Sequence, residues 1–366
     1  MDPAHVRGLV DALEGRIVAV IGDVVADEFV YGRVARVSRE APVLILEYDS
    51  TEVVPGGAGN AAQNVAALGG RVRLGAVIGL DDVGGRLAEA FHANVDARGV
   101  VRAAGRATPV KTRILAGGIH SAKQQVVRID RGVHGAFDDA TIARFERAAV
   151  DAAFEADAIL ISDYGSGLVT PAFVNRLRGA VRQAGLPIPM LVDSRYRLLD
   201  YRALTACTPN ESEVEEALGV RINDNPKTLE RAGRAILAKT KMEAVLITRG
   251  SRGMALFVPD QPTVHIPIFG SDEIADVTGA GDTVMATLSL ALAAGASFEN
   301  AARLANYAGG LVVMKRGTAT VTGDELRAAI DRDSAQVSAP APGARRTRRA
   351  AATAAAGAVP SRRKRG

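Results

Sequence analysis

The residues of this chain best suited to chemistry form one short string, Asp276-Val277-Thr278-Gly279-Ala280-Gly281-Asp282. An apolar, alanine-rich segment from Val284 to Ala294 follows it, an order that predicts a loop opening a helix. Two glycines in the string would let a ligand approach the backbone, and the free N–H groups of a helix start attract phosphate. Within such a cradle, Asp282 is suited to accept a proton from a hydroxyl that attacks a phosphoryl group. The alternative is a glycine-rich turn with a capping aspartate.

The elements that must position this string are predicted from alternating apolar and amphipathic segments, an order typical of a mostly parallel sheet with helices on both faces. The predicted strands are residues 16–21, 72–78, 158–162, 190–193 and 244–248, and the predicted helices are residues 60–68, 139–155, 171–184 and 229–239. Ligands bind at the carboxyl ends of such strands. Asp23, Asp163, Asp193 and a turn at 248–253 fall there. Residues 30–52 and 110–130 break the alternation and are predicted to be extended and antiparallel.

The string from 276 to 282 resembles the second signature of the ribokinase-like sugar kinases, the phosphofructokinase B family, Asp-(Thr/Ser)-x-Gly-Ala-Gly-Asp. Three further blocks are similar to family elements in the family's order: the sugar-side signature Pro55-Gly56-Gly57-Ala58-Gly59-Asn60-Ala61-Ala62, the Asn-x-x-Glu element Thr208-Pro209-Asn210-Glu211-Ser212-Glu213, and the nucleotide-side turn Thr248-Arg249-Gly250-Ser251-Arg252-Gly253. The sequence is therefore identified as a member of this family over about residues 16–325. The resemblance implies an α/β, ribokinase-like fold in which segments 30–52 and 110–130 form a small β lid.

Within the family, Tyr31 to Val43 resembles the D-glycero-D-manno-heptose-7-phosphate kinases, the kinase half of bifunctional proteins that make ADP-heptose for bacterial lipopolysaccharide. Residues 111–113, 124–130 and 160–165 are similar to the same branch. The chain departs from the branch at three places. Arg39 stands for a proline, Ser166 for a lysine, and Ser194-Arg195 for Pro-Lys, so the sugar is less firmly implied than the reaction.

The resemblance implies transfer of a phosphoryl group from MgATP to the anomeric hydroxyl of heptose 7-phosphate. The implied catalytic groups are the base Asp282 and the main-chain N–H groups of Gly279, Ala280 and Gly281. The implied ATP-binding residues are Asn210, Glu211, Ser212, Glu213, Thr248, Gly250, Gly253 and Asn306. The implied substrate-binding residues are Asp23, Gly56, Gly57, Asn60, Lys111, Arg113, Arg128 and Asp163. Glu213 would hold Mg²⁺ through water, and Asp276 would bear on a monovalent-cation site for K⁺.

Three of these residues, Lys111, Arg113 and Arg128, are suited to a sugar that already carries a phosphate. The alternative for each of them is an ion pair with Asp130 across the lid strands.

Composition agrees with a soluble enzyme: of 366 residues, 48% are hydrophobic and 23% charged. No apolar run is long enough to span a membrane, and no secretory signal is visible at the N-terminus. The single cysteine, Cys207, cannot form an intramolecular disulfide and is predicted to be a buried thiol at a strand end. We therefore expect a cytoplasmic protein.

Charge divides the chain into a body and a tail. Residues 334–366 hold eight basic residues and no acidic one, which is +8, so residues 1–333 sum to −4 against a total of +4. The tail is rich in Ala, Pro and Arg and lacks apolar content, which predicts a disordered extension after a kinase domain at 1–333. The alternative is weak contact with nucleic acid, the ribosome or an anionic membrane.

Two other functions remain open. One is a ribokinase-family kinase that acts on another carbohydrate or a nucleoside, and the other is a non-catalytic nucleic-acid-binding protein that acts through the basic tail. The resemblance also implies a homodimer formed through the β lid. Many relatives carry a nucleotidyltransferase domain with a His-x-Gly-His motif, which the five histidines here do not form. A separate adenylyltransferase is therefore expected in the pathway.

Overall fold

The computed structural model describes residues 3–117, 123–132, 135–270 and 275–338, and these ranges form fourteen strands and ten α-helices. The strands are β1 (Ile17–Gly22), β2 (Val24–Val37), β3 (Leu44–Gly57), β4 (Arg71–Gly79), β5 (Val95–Asp96), β6 (Val100–Ala103), β7 (Val110–Gly117), β8 (Gln124–Arg131), β9 (Ala158–Asp163), β10 (Met190–Ser194), β11 (Ala206–Cys207), β12 (Ala244–Thr248), β13 (Met254–Phe257) and β14 (Val264–Ile266). The helices are α1 (Pro3–Asp11), α2 (Ala58–Ala67), α3 (Asp82–Ala90), α4 (Asp139–Phe154), α5 (Pro171–Gln183), α6 (Glu211–Leu218), α7 (Pro226–Thr240), α8 (Ala280–Ala293), α9 (Phe298–Val312) and α10 (Gly323–Ser338).

The main sheet is buried on both faces. Its order is β14-β13-β12-β11-β10-β9-β1-β4-β5, with β6 also paired to β4, and its pairs are parallel except β12–β13 and β13–β14. Successive side chains of a strand point to opposite faces. In β1, Val18 and Val20 therefore join a core with α1, α2, α8, α9 and α10, whereas Ala19 and Ile21 join a second core with α4, α5, α6 and α7. This confirms the predicted arrangement.

Most of the strands and helices predicted from sequence are present, with small differences at their ends. Helix α7 begins at Pro226, three residues before the predicted position. The Asn225 side chain accepts hydrogen bonds from the amides of Lys227 and Thr228, so an asparagine cap followed by proline starts the helix early. Cys207 is fully buried at the end of β11, as predicted, and burial raises the pKa of its thiol.

A second sheet, the lid, consists of β2, β3, β7 and β8 in the order β3-β2-β7-β8. The first lid segment is longer than predicted, because β2 follows β1 after one residue and β3 continues to Gly57. The β2–β7 pair is parallel, so the prediction of a wholly antiparallel lid was wrong for this pair. The reason is that both strands follow main-sheet strands that run parallel to β4, namely β1 and β6. Residues 118–122 of the second lid segment lie outside the described residues.

The last helix runs past the predicted start of the tail. We expected the tail to start at 334, but α10 continues to Ser338. Residues 332–338 contain no proline or glycine, and the first helix-breaking residue is Pro340. The rest of the tail, residues 339–366, lies outside the described residues. Across the described part of the chain, no helix combines the length and the apolar character needed to cross a membrane.

Candidate active site

Two neighbouring cavities lie at the carboxyl end of the main sheet. The loop cavity, about 450 Å³, is bordered by the 279–282 loop, the start of α6, the turn at 250–253 and α9. The lid cavity, about 310 Å³, is bordered by the ends of β1 and β4, the 164–166 turn and lid strands β7 and β8. Two side chains, Tyr164 and Arg195, line both cavities and form the divide between them.

Asp282 lies in the first turn of α8 and is only 6% exposed, although it borders the loop cavity. Its two carboxylate oxygens accept hydrogen bonds from different directions. The amide of Asn60 donates to Oδ2 at 2.9 Å, and the hydroxyl of Tyr164 donates to Oδ1 at 2.9 Å. The carboxylate is therefore held in one orientation next to the divide, as a base must be.

The amide of Asn60 is itself oriented by a chain of hydrogen bonds between α2 and α8. Asn64 Nδ2 donates to Asn60 Oδ1 at 3.0 Å, and the Thr283 hydroxyl donates to Asn64 Oδ1 at 3.1 Å. Because Asn60 Oδ1 is occupied as an acceptor, its Nδ2 is the group left to face the carboxylate. Asn60 was predicted to bind the sugar, but its contacts indicate that it positions Asp282.

Burial raises the pKa of Asp282 from its ordinary value to about 6. The hydrogen bonds from Asn60 and Tyr164 oppose this rise because they stabilise the charged form, and the charge of Asp27 adds to it. A carboxylate with a pKa near 6 is a stronger base than an exposed aspartate and is still mostly ionised at neutral pH. Both properties suit a general base.

The backbone of the 279–282 loop requires glycine at its first position. Gly279 has φ 76°, in the left-handed region, and a Cβ there would collide with the Asn60 amide. Gly279 offers no side chain to cap α8, and Gly279, Ala280, Gly281 and Asp282 all line the loop cavity. The Ala280 amide donates to the Val277 carbonyl at 3.3 Å. A helix start that borders a cavity suits the predicted cradle for a negatively charged phosphoryl group.

Of the eight predicted ATP-binding residues, six line the loop cavity: Asn210, Glu213, Thr248, Gly250, Gly253 and Asn306. The other two do not. Glu211 is instead held by Arg249, whose Nε lies 2.8 Å from Glu211 Oε1, and by Arg252, and Ser212 is exposed. Glu211 therefore fixes the turn at 250–253 against α6, since an ion pair between the two elements restrains both.

Two carboxylates of the loop cavity could hold a metal ion. Glu213 Oε2 accepts from the Asn210 amide at 2.9 Å within a capping box that starts α6. Burial raises the pKa of Glu213, and that of Asp193 at the end of β10 is raised well above its usual range by burial and then by the charge of Glu213. Two buried carboxylates that repel each other suit a divalent cation, and Mg²⁺ prefers one or two carboxylates plus water.

The lid cavity is cationic. Arg106, Lys111, Arg128 and Arg195 line it, against the carboxylates of Asp23 and Asp130. Burial lowers the pKa of Lys111, Asp27 opposes this change, and the positive charge of Arg128 adds to it. In the described part of the chain the Lys111 ammonium contacts the Tyr164 ring at 4.9 Å and no carboxylate. An anionic group of a ligand would compensate this charge.

The two arginines predicted to share this role differ. Arg128 forms an ion pair with Asp130, the predicted alternative, but still lines the lid cavity. Arg113 is 7% exposed and lies outside both cavities, with its Nη1 2.5 Å from Oδ1 of the buried Asp27. The contacts of Arg113 therefore favour a structural role over its predicted phosphate-binding role.

Asp23 and Asp163 were predicted to bind substrate, but the carboxylate oxygens of both accept hydrogen bonds from other groups of the protein. Asp23 accepts from the Tyr164 amide at 2.8 Å and the Ser166 hydroxyl at 2.5 Å. Asp163 is 1% exposed and accepts from Ser194, Tyr201, Arg197 and Gly165. Both carboxylates hold the turn that carries Tyr164, and each also borders one cavity.

The remaining predicted site residues are Gly56, Gly57 and Asp276, and each has close neighbours within the protein. Gly57 has φ 60°, and a Cβ there would lie 2.5 Å from the carbonyl oxygen of Asp23. Gly56 packs against the Asp27 carboxylate, and neither glycine lines a cavity. Asp276, the predicted cation ligand, accepts from the amides of Thr278 at 2.9 Å and Gly317 at 3.1 Å, which ties the loop to the segment before α10.

Sequence reasoning assigned no role to Tyr164, Asp27, Arg106 or Arg195. Tyr164 and Arg195 lie in segments that the sequence analysis compares with the heptose-7-phosphate kinases, so the sequence did contain a signal for both. Asp27 and Arg106 had none, because nothing local distinguishes a buried partner or a cavity wall from any other charged residue.

Comparisons with known proteins agree with this geometry. Residues 18–324 match the family described as pfkB family carbohydrate kinase. The chain is 43% identical over 322 residues to the bifunctional protein HldE of Caulobacter vibrioides, covering 87% of this chain and 64% of the relative. It is 44% identical over 312 residues to HldE of Geobacter metallireducens, covering 84% and 61%. The chain thus spans less than two thirds of the length of these relatives.

Solved structures show the fold. Phosphofructokinase-2 of Escherichia coli in complex with fructose-6-phosphate superposes with a TM-score of 0.68 at 18% identity, over 88% of this chain and 99% of that one. Arabidopsis thaliana ribokinase complexed with ribose and ATP superposes with a TM-score of 0.65 at 20% identity, over 87% and 99%. The predicted ribokinase-like α/β fold is confirmed.

Proposed function

This chain belongs to the pfkB family of carbohydrate kinases, and from that premise we propose that it transfers the γ-phosphoryl group of ATP to the anomeric hydroxyl of D-glycero-D-manno-heptose 7-phosphate. The observation that carries the proposal is the position of Asp282. Its buried carboxylate lies beside the divide between a cavity lined by the 279–282 loop and a cavity lined by cations. The reaction would supply heptose 1,7-bisphosphate for ADP-heptose and lipopolysaccharide synthesis.

In the proposed reaction the sugar hydroxyl displaces one of the two donors at Asp282. The hydroxyl proton passes to the carboxylate as the sugar oxygen forms a bond to the γ-phosphorus. The bond from that phosphorus to the bridging oxygen breaks, and ADP leaves. Main-chain N–H groups across Gly279–Asp282 stabilise the charge on the transferring group, as an oxyanion hole does. Asp282 then releases its proton to water.

ATP would occupy the loop cavity, with its adenine and ribose near Asn306 and the 250–253 turn. Mg²⁺ bound near Glu213 and Asp193 would neutralise phosphate charge and orient the γ-phosphoryl group. Removing this metal with a chelator should therefore abolish turnover. K⁺ near Asp276 is a minor part of the proposal, because both carboxylate oxygens of Asp276 already accept hydrogen bonds from backbone amides.

The cations of the lid cavity support a sugar that already carries a phosphate. Lys111 and Arg128 lie on adjacent lid strands, and Arg106 faces the same space over the Phe137 ring at 3.6 Å. A neutral sugar or a nucleoside would leave the Lys111 ammonium, which contacts no carboxylate of the described residues, uncompensated. Heptose 7-phosphate is favoured among phosphosugars by the motifs of residues 31–43 and 124–130 and by the HldE relatives.

The proposal is tested with purified protein, MgATP and coupled detection of ADP. Heptose 7-phosphate should be turned over at least 10²-fold more efficiently than ribose, a nucleoside or fructose 6-phosphate, because the phosphate and the heptose ring are both recognised. Faster turnover of another phosphosugar would keep the kinase and reject the heptose. Turnover of none, together with salt-sensitive RNA binding, would favour the non-catalytic alternative.

We also propose that the lid forms a homodimer. Its surface exposes large apolar side chains on three of its strands and on the connection between two of them: Val34, Val37, Val43, Leu44, Tyr48, Val126, Val127 and Ile129. An exposed patch of this kind marks an interaction surface, and a second copy would bury it.

ATP and sugar phosphates are cytoplasmic metabolites, so the cytoplasm is the proposed location.

A further inference from the structure

Arg195 occupies a special position at the divide. It follows β10 directly and lines both cavities. Around the loop cavity it is the one cationic side chain among the described lining residues, whose acidic members are Asp163, Asp193, Glu213 and Asp282. The other residue of the divide, Tyr164, already donates its hydroxyl to Asp282. Arg195 is thus the one charged side chain, among the described residues, that lines both cavities.

The Arg195 guanidinium also lacks a partner that would explain its presence structurally. Within residues 3–117, 123–132, 135–270 and 275–338, its one recorded contact is with the ring of Tyr196 at 5.7 Å. The guanidinium of Arg197, two residues later, does have partners within the fold. Its Nη2 donates to the Val169 carbonyl at 2.8 Å and lies 3.3 Å from Asp163 Oδ1. One arginine of this segment holds the fold, whereas the other is exposed and borders both cavities, where a ligand could reach it.

The field of Arg195 reaches into both cavities. On the loop side it lowers the pKa of Glu213 and of Asp193, opposing the effect of burial. On the lid side its charge contributes to the lowered pKa of Lys111, after burial and Arg128. A group that influences ionisable side chains on both sides of the divide lies close to the path of anything that crosses it.

We infer that Arg195 contacts the γ-phosphoryl group as it passes from ATP to the sugar and is a catalytic residue of this kinase. The inference rests on the proposed function. As the sugar oxygen bonds to phosphorus and the bond to the bridging oxygen breaks, negative charge spreads over the non-bridging oxygens. The guanidinium donates hydrogen bonds to these oxygens, while the proton goes to Asp282 and the leaving group is ADP.

A planar guanidinium suits this place better than an ammonium. It has five donors in a fixed fork and can bond two oxygens at once, whereas a lysine acts as a point charge. The similar branch has lysine at this position, so a lysine variant should retain part of the function. Arg195→Lys and Arg195→Gln therefore separate charge from geometry.

The test compares Arg195→Gln and Arg195→Lys with Arg202→Gln as a matched control. Arg202 is exposed and lines neither cavity. For Arg195→Gln we expect kcat to fall about 10²–10³-fold, the usual cost of one transition-state donor, with both KM values changed less than about 5-fold. Arg195→Lys should lose less, and Arg202→Gln should equal the wild type.

A binding measurement checks the same point without turnover. MgADP with aluminium fluoride and the phosphosugar mimics the transferring phosphoryl group. Arg195→Gln should weaken binding of this mixture by about the factor lost in kcat, because the lost contact is to that group. Its affinity for MgADP alone should change little.

Three results would overturn the inference: an unchanged kcat in both Arg195 variants, a change confined to the KM of the sugar, or an equal loss of affinity for MgADP and for the mimic. The test uses whichever phosphosugar the wild-type protein turns over. Failure of the wild type on heptose 7-phosphate would therefore count against the proposed sugar and leave the test of Arg195 intact.

Discussion

Asp282 is held by two donors from distant parts of the chain, Asn60 of α2 and Tyr164 after β9. Their combined effect is to orient a buried carboxylate and to limit the rise of its pKa, which burial alone would take higher. Asp282 therefore meets two requirements of a general base. It must be ionised at neutral pH, and it must still be basic enough to accept a proton.

Replacing Asp282 by asparagine removes the base and keeps the shape of the side chain. We expect kcat to fall about 10²–10⁴-fold, the range for a lost general base, with ATP binding and the melting temperature nearly unchanged. Steady-state kinetics with calorimetric ATP titration measures both. Near-normal turnover in this variant would remove Asp282 from the mechanism.

The pKa of Asp282 predicts the pH dependence of the reaction. Because the base must be ionised, kcat/KM should rise with pH through a midpoint near 6 and then level off.

Tyr164→Phe should move that midpoint to higher pH, since it deletes a hydrogen bond that lowers the pKa of Asp282. Tyr307→Phe is the matched control, because its hydroxyl donates to another aspartate, Asp333, and neither residue lines a cavity. Identical pH profiles for Tyr164→Phe and the wild type would show that Tyr164 does not set this pKa.

The glycine loop that opens a helix could be predicted from the sequence because it lies on seven consecutive residues. The contacts of Asn60 and Arg113 could not, since each depends on a partner far away in the chain: Asp282 for Asn60, and Asp27 for Arg113. A side chain that can bond a ligand can equally bond a buried carboxylate, and local sequence does not distinguish the two.

At the scale of elements, the buried pair of Arg113 and Asp27 joins lid strands β7 and β2. The Thr318 hydroxyl donates to the other oxygen of Asp27 at 2.9 Å, so the segment before α10 is bound to the same point. The parallel direction of β2 and β7 is set by the main-sheet strands they follow, which a pattern within either lid segment cannot reveal. The alternation of strands and helices that builds the main sheet is visible in consecutive stretches of the sequence, and it was predicted.

Arg113→Ala should lower the free energy of unfolding by about 3–5 kcal/mol, because it leaves the buried carboxylate of Asp27 without its cation. Urea denaturation followed by circular dichroism measures this. Arg128→Ala is the control, since its ion pair with Asp130 is largely exposed and should cost at most about 1 kcal/mol. If Arg113→Ala instead kept its stability and raised the KM of the sugar, the predicted phosphate-binding role would be right.

At the scale of the whole molecule, the sequence separates a compact body from a basic tail, and α10 moves the boundary toward the C-terminus. Tyr307 bonds Asp333 of this helix, and Arg327 bonds Asp11 of α1 at 2.8 Å. The helix therefore packs against the body as far as Asp333 and continues to Ser338.

Truncation after Ser338 should leave kcat and the melting temperature unchanged, because the contacts described for the site join residues within 3–338. The variant loses eight positive charges and should elute from heparin at lower salt than the full chain. Loss of kinase activity on truncation would show that the tail acts at the site.

The lid is joined to the site without a connecting loop: β3 ends at Gly57, and α2, which carries Asn60, begins at the next residue. On its other side, one residue, Asp23, separates β1 from β2. Lid position and sugar affinity must then be thermodynamically linked, and such linkage is reciprocal. If two lids associate as proposed, sugar should tighten the dimer by the same factor by which dimerisation tightens sugar binding. The affinity for sugar would then depend on protein concentration, which sedimentation with and without the sugar can measure.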